Sequence, residues 1–143
     1  MSDLRTIVDR HYEGINQHDL DMAVSMMTDD VESILPGAPP MKGVEPFKQY
    51  VSVFQTAAPD AHIVGHRYLE SGDTIVVEGS YSGTHTGPLM TPMGEIPPTG
   101  RHFDFTFCDI LQARDGKACS HRVYFDQAEF MSQLGLMPVP ASA

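Results

Sequence analysis

The chain has 143 residues, the length of one ordinary domain, and reads as a single domain over 1–143. Nine Lys and Arg against nineteen Asp and Glu leave a net charge of −10, which argues against nucleic acid and anionic membrane as partners because each phosphate contact needs a cation. With 41% hydrophobic and 20% charged residues the chain is globular rather than disordered, and no stretch reaches the roughly 18 apolar residues that span a bilayer.

The opening Met1-Ser2-Asp3-Leu4-Arg5 has no basic segment leading into an apolar one, so no secretory signal is expected and cytoplasm is the expected compartment. Leu4, Ile7, Val8, His11, Tyr12 and Ile15 recur at helical spacing and predict an amphipathic helix over 3–17. His18-Asp19 breaks it, and Asp19 can cap a second short helix with Leu20, Ala23, Val24 and Met27 on its apolar face. Thr28-Asp29-Asp30 turns the chain into a strand, Val31 to Leu35, and Pro36-Gly37-Ala38-Pro39-Pro40 must be loop. A third helix, 44–57, carries Val44, Phe47, Tyr50, Val51 and Phe54 on one face.

Beyond Pro59-Asp60 the apolar period changes from helical to alternating. Segments 61–70, 74–85, 101–114 and 118–126 are rich in strand formers, and Ser71-Gly72-Asp73 and Asp115-Gly116-Lys117 punctuate them as antiparallel hairpins. A short helix over 127–134 closes the chain, and 138–143 read as a loose tail. The connection 86–100, with four prolines and Leu89, Met90, Met93 and Ile96, is long for a hairpin. It is either a flap over a pocket mouth or a loop packed on its own domain or on a partner subunit. Three helices packed on a strongly curved antiparallel sheet, with an internal pocket between the layers, make an α+β cone or open barrel of the cystatin-like kind.

Asp126 follows the apolar-aromatic Val123-Tyr124-Phe125. A carboxylate at the inner end of a greasy pocket is a usable base, because burial disfavours its charged form; the other reading is a cap on the helix that starts at Gln127. If Asp126 faces inward, Tyr124, Arg122 and Ser120 share its face, and His121, Val123 and Phe125 take the other. In the long strand, Asp104, Thr106, Cys108 and Ile110 form one face, with Phe103, Phe105, Phe107 and Asp109 opposite, and alternation fits either set inside. His85, on a face with Ile75, Val77 and Tyr81, could donate to a substrate carbonyl or sit at a loop edge; Tyr81 could join it or be core. Arg122 beside Asp126 would weaken that base, so either Arg122 pairs with Asp104 or a substrate carboxylate, or this register of the strand is the wrong one. Arg101 is expected to bond the loop. His62 and His66 on one strand lie roughly 13 Å apart at ~3.3 Å per residue, too far for one ion, so no metal is expected. Cys108 and Cys119 form neither a CxxC nor a disulfide framework, so both read as reduced and Cys108 as an inert thiol, and the nine methionines suit core or an adaptable apolar pocket.

Asn16-Gln17-His18-Asp19-Leu20-Asp21 and Met27-Thr28-Asp29-Asp30-Val31 resemble the nuclear transport factor 2 superfamily, which also contains ketosteroid isomerase. Gly83-Thr84-His85-Thr86-Gly87, Pro98-Thr99-Gly100-Arg101, Asp115-Gly116-Lys117, Tyr124-Phe125-Asp126 and Gln133-Leu134-Gly135 are similar to the SnoaL-like polyketide cyclases, often labelled ester cyclases, over residues 4–138. The resemblance implies that Asp126 is the general acid/base, taking an acidic C–H proton for an intramolecular aldol closure and returning one to the new alkoxide, with no metal or organic cofactor. It also puts Asp104, Thr106, Cys108 and Ile110 inside, with Tyr81, Arg122, Tyr124, Leu35 and Phe54 completing the pocket. Three Phe would then lie outside, needing a second subunit packed sheet to sheet.

Arg122 to Asp126 running into Glu129-Phe130 is also similar to limonene epoxide hydrolase. The Arg and Asp, and the Tyr and Asn, that hold the water there align with Gly79, Tyr81, Ser33 and Leu35, so the water-activating set is missing. The expected function is therefore cofactor-free proton transfer at carbon on a hydrophobic carbonyl compound, by Asp126 with His85 as electrophilic help: an aldol-type cyclase, or a related isomerase or dehydratase. The competing expectation is a non-catalytic binder of an apolar small molecule or partner protein.

Overall fold

The computed structural model describes residues 3–137; the expected tail from 138 lies outside them. Helix α1 (Asp3–Asn16) buries Ile7, Val8, His11, Tyr12 and Ile15, the helically spaced face read from the sequence. His18 takes a positive φ of 59°, and Asp19 caps α2 (Leu20–Val24) by accepting the Met22 N–H at 3.0 Å. The two helices cross tightly: a Cβ on Gly14 would stand 2.4 Å from the Ala23 nitrogen.

Strands β1 (Met27–Ile34) and β2 (Met41–Lys42) precede helix α3 (Val44–Ala57). The sheet continues with β3 (His62–Ser71) and β4 (Thr74–Thr84). The connection 86–100 is not structureless: β5 (Leu89–Thr91) and β6 (Gly94–Ile96) pair antiparallel as a separate hairpin. Then come β7 (His102–Arg114), β8 (Lys117–Phe125) and α4 (Gln127–Gln133). The β7–β8 turn is Asp115-Gly116, both at positive φ (54° and 81°), the conformation whose twist matches the strands it joins.

The main sheet has six strands in the order β2-β1-β8-β7-β4-β3, and its pairs are antiparallel except β1 with β8, which is parallel. It is not closed into a barrel; β2 and β3 are its edges. Helices α1 and α3 cover its concave side through a core that includes Val8, Phe47, Val51, Ile75, Val77 and Leu111. A second cluster, Ala57, Leu89, Phe103, Phe105, Phe130 and Leu134, ties α3, the hairpin and α4 together at one end.

The strand register corrects the expected inner face. Phe103, Phe105, Phe107 and Asp109 are buried, while Asp104 and Thr106 are exposed and Cys108 and Ile110 half-buried on the opposite side. On β8, His121 is buried, with Val123 and Phe125 beside it in the core, and Arg122 and Tyr124 are exposed. Three Phe turned outward would have left about 2 kcal/mol or more of burial unrealised per side chain, and turning them under the helices recovers it within one chain. The expected ground for a sheet-to-sheet dimer, outward phenylalanines, therefore falls. Among the described residues no helix is long and apolar enough to cross a membrane.

Candidate active site

Tyr12 and His11 come from α1, Asp109 from β7 and His121 from β8, and all four line one cavity of about 80 Å³ beneath α1 and α3. The register explains the meeting. Asp109 pairs with Val123 and Leu111 with His121, so Asp109 and His121 are diagonal neighbours on the concave face. The Tyr12 hydroxyl donates to Asp109 Oδ2 at 2.8 Å, and His121 Nε2 stands 2.8 Å from Asp109 Oδ1. That second approach is close but not aligned as a hydrogen bond. Asp109 Oδ1 and both ring nitrogens of His121 are buried without a hydrogen-bond partner, as is Oγ of Ser33, which pairs in register with His121.

A buried polar atom left without a partner costs about 1–3 kcal/mol, and most native structures hold few. Here three, on Asp109 and His121, belong to residues that line one otherwise apolar hollow walled by Ile15, Phe47, Val51, Phe54, Phe105, Phe107 and Phe125. A ligand hydroxyl presented there could donate to Asp109 Oδ1 while accepting from the N–H of His121. Asp109 is held as an acceptor by the Tyr12 hydroxyl, whose own ionisation is pushed far up by burial and then by the carboxylate charge.

His11 Nδ1 lies 2.9 Å from the Ala23 carbonyl oxygen, which only accepts, so Nδ1 carries the proton and Nε2 is left as an acceptor. Its ring meets that of His121 edge-on at 5.3 Å. Burial, and then repulsion from His121, lower its pKa to about 4, so His11 is neutral at pH 7. Tyr50 and Tyr81 also line the cavity, and burial first of all holds both phenols protonated well above neutrality.

Of the residues expected at the site, Tyr81, Leu35 and Phe54 line the cavity. Asp126 does not. It is exposed at the N-terminus of α4, its Oδ1 accepting the Glu129 N–H at 3.1 Å, which is the capping role. His85 is buried away from the cavity and clasps the base of the hairpin. Its Nδ1 accepts the Thr99 N–H at 3.2 Å with Thr99 Oγ1 at 2.9 Å, and its backbone bonds Arg101 O and Gly100 N. Burial lowers its pKa. Arg101 meets the loop through its backbone N–H, which donates to Thr99 Oγ1 at 3.3 Å. Asp104, Thr106, Cys108, Ile110, Arg122 and Tyr124 occupy the outer sheet face, where none reaches the hollow. Among the described residues, no three His, Cys, Asp or Glu side chains converge as metal ligands do.

Asp109, His121, Tyr12 and His11 were not among the expected site residues. The signal for the first lay in Phe103-x-Phe105-x-Phe107-x-Asp109-x-Leu111: an acid on an alternating aromatic face is a buried acid if that face is taken as the core.

The family profile described as SnoaL-like polyketide cyclase matches residues 5–134. No curated relative matches. Among solved structures, a protein from Jannaschia sp. CCS1 provisionally described as a SnoaL-like polyketide cyclase superposes with a TM-score of 0.82 at 22% identity, covering 95% of this chain and 94% of that one. IdmH from Streptomyces antibioticus, provisionally a polyketide cyclase, gives 0.78 at 26% identity, over 92% and 97%. AclR from Streptomyces galilaeus, provisionally a hydroxylase, gives 0.83 at 17% identity, over 97% and 89%.

Proposed function

The chain belongs to the SnoaL-like polyketide cyclase family, and from that premise we propose that it is a cyclase-type enzyme that moves a proton at a carbon next to a carbonyl, with Asp109 rather than Asp126 as the acid/base. The observation that carries this is the buried Asp109 Oδ1, without a hydrogen-bond partner in an apolar cavity that also holds His121 and Tyr12.

Asp109 Oδ1 takes the α-proton of the bound carbonyl compound. The electron pair left on carbon moves into the carbonyl, and His121, whose ring nitrogens lack partners, donates toward the developing enolate oxygen. Tyr12 holds the other carboxylate oxygen so that the reacting one keeps its direction. For an intramolecular aldol closure the enolate carbon attacks a second carbonyl of the same substrate, and the proton on Asp109 returns to the new alkoxide. Apolar walls keep water from quenching the enolate.

Exchange of α-protons for deuterium, followed by NMR with simple ketones as probes, tests the first step. Asp109→Asn is expected to slow it by about 10²-fold or more, the usual worth of a positioned base. Asp126→Asn is expected to leave it within about twofold. Exchange surviving in Asp109→Asn would assign the proton transfer to another group, and a wild type that binds ketones without exchanging their α-protons would leave a non-catalytic binder as the better reading.

The reading includes a homodimer through the outer sheet face, on side chains other than those first expected. Ile34, Ile110, Val76 and Leu69, with Arg122 among them, sit in successive register across the strands on that face, and Ile34 and Leu69 are 39% and 57% exposed.

A further inference from the structure

The closure proposed above needs one molecule that carries two carbonyls, and the chamber that holds Asp109 and His121 is about 80 Å³. Benzene occupies an apolar protein cavity of about 150 Å³, and hexane-2,5-dione, whose aldol closure makes a five-membered ring, is larger than benzene. The chamber as it stands therefore excludes the kind of substrate that its acid/base chemistry calls for. One of its walls has to move.

Most of the walls cannot. Ile15, Phe47, Val51, Phe105 and Phe107 are buried core residues, and a close-packed interior does not yield. Tyr50, Phe54 and Phe125 differ. They are half-buried, and they also line a second, outer hollow of about 510 Å³ between the β5–β6 hairpin and α4. The three rings are thus a shared wall with free volume on its far side, and two of them are held. The Tyr50 hydroxyl donates to the Pro36 carbonyl at 2.7 Å, and Phe125 stacks on Phe105 with 4.6 Å between ring centres and 30° between planes.

Phe54 completes the wall, 5.3 Å from Tyr50 and 6.4 Å from Phe125 between ring centres. It has no polar atom to anchor it, and its contacts with Tyr50, Tyr81, Phe125 and Phe130 are all tilted or edge-on. A phenylalanine on a helix has two open χ1 rotamers, so this ring can swing while α3 keeps its backbone. The outer hollow is larger than the cavity a benzene ring needs, and Met131 on its far side is a side chain that adapts to what is packed against it.

We infer that Phe54 is the specificity-determining residue of this site. With its ring in the wall the chamber takes only small ketones; with the ring turned into the outer hollow it takes a dicarbonyl compound, whose far end fills the place the ring has left. This rests on the acid/base reading above for the chemistry in the chamber, while the size limit belongs to Phe54. A site that must open first binds more weakly in proportion to the fraction open, and only ligands that need the opening bear that cost.

The test uses the full chain with acetone, which the closed chamber admits, and with hexane-2,5-dione and 1-phenylpentane-1,4-dione, which need the open one. Exchange of α-protons for deuterium is followed by NMR, and the readout is the ratio of kcat/KM for each dione to that for acetone. Phe54→Ala is expected to raise both ratios about tenfold or more, with the larger gain for the larger dione. Phe54→Leu makes the same comparison with less loss of packing, and should move both ratios the same way. A crystal structure of the wild type with 1-phenylpentane-1,4-dione should show the Phe54 ring in the outer hollow and a dione carbonyl beside Asp109. Ratios unchanged in both variants, the dione in the chamber with Phe54 unmoved, or the dione in the outer hollow alone would each overturn the inference. In Asp109→Asn the diones should still bind by calorimetry while exchange is lost. If exchange persists there and the Phe54 variants still shift the ratios, the acid/base reading fails and the size limit at Phe54 stands without it.

Discussion

Asp126 and Asp109 show how completely surroundings decide what a carboxylate does. Asp126 stands at a helix start in water, where its oxygen accepts a backbone N–H, and removing such a cap costs about 1 kcal/mol of stability. Asp109 is 2% exposed and directed by a tyrosine. His11 makes the pH dependence of this corner measurable. Its pKa is about 4 in the folded chain against 6.5 in the unfolded one, so the unfolded chain binds the proton more tightly. The stability it contributes as a neutral ring is complete above pH 6.5 and is lost as pH falls from 6.5 through 4, about 3 kcal/mol in all. Denaturant unfolding at pH 7 and pH 4.5 should show that loss in the wild type and a smaller one in His11→Gln. Equal losses would mean that another group carries the acid sensitivity. His11 was legible as a helix-face residue from its spacing with Ile7, Val8 and Ile15. Its meeting with His121 was not, because that depends on a contact between residues 110 positions apart.

At the scale of elements, the helices and the long strands followed the sequence closely, since apolar period and turn chemistry are local properties. The third helix is the expected 44–57, and Asp115-Gly116 makes the expected turn. For the connection 86–100 the sequence left open a flap over a pocket mouth or a loop packed on its own domain or on a partner subunit. It packs on its own domain, burying Leu89 in the second core cluster, while Met90 lines a second hollow beside α4. Its base is pinned on α3, where the Thr86 and Gly87 N–H groups both donate to the Ala57 carbonyl. A Cβ on Gly87 would stand 2.0 Å from the Thr56 carbonyl oxygen, which is backbone and cannot yield cheaply. Gly87→Ala is therefore expected to lift the hairpin from α3, with faster amide exchange over 86–97 and a loss of about 1–3 kcal/mol. Unchanged exchange there would show that the hairpin does not need this anchor.

Over the whole molecule, an outward row of Ile34, Ile110, Val76 and Leu69 is the surface on which self-association should depend. Sedimentation at micromolar concentration is expected to give a species of twice 15.7 kDa, and Leu69→Lys with Ile34→Lys should return it to one. A wild type that sediments only as a monomer would remove the dimer from the reading. The inner face illustrates why such questions need the folded chain. Alternation along Phe103, Phe105, Phe107 and Asp109 said that these side chains share a face, and nothing in a strand says which face the helices will cover, because shifting by one residue exchanges the two sets. The sequence by itself determined the helices, the four long strands beyond residue 60, the two turns between them and the family likeness, which rest on neighbours a few residues apart. It missed β2 and the β5–β6 hairpin, and read as a turn the Thr28-Asp29-Asp30 that lies inside β1. Only the tertiary structure decided that the acid sits on the aromatic face under α1, because packing three phenylalanines away from water outweighs sparing one carboxylate, and that balance is struck between segments a hundred residues distant.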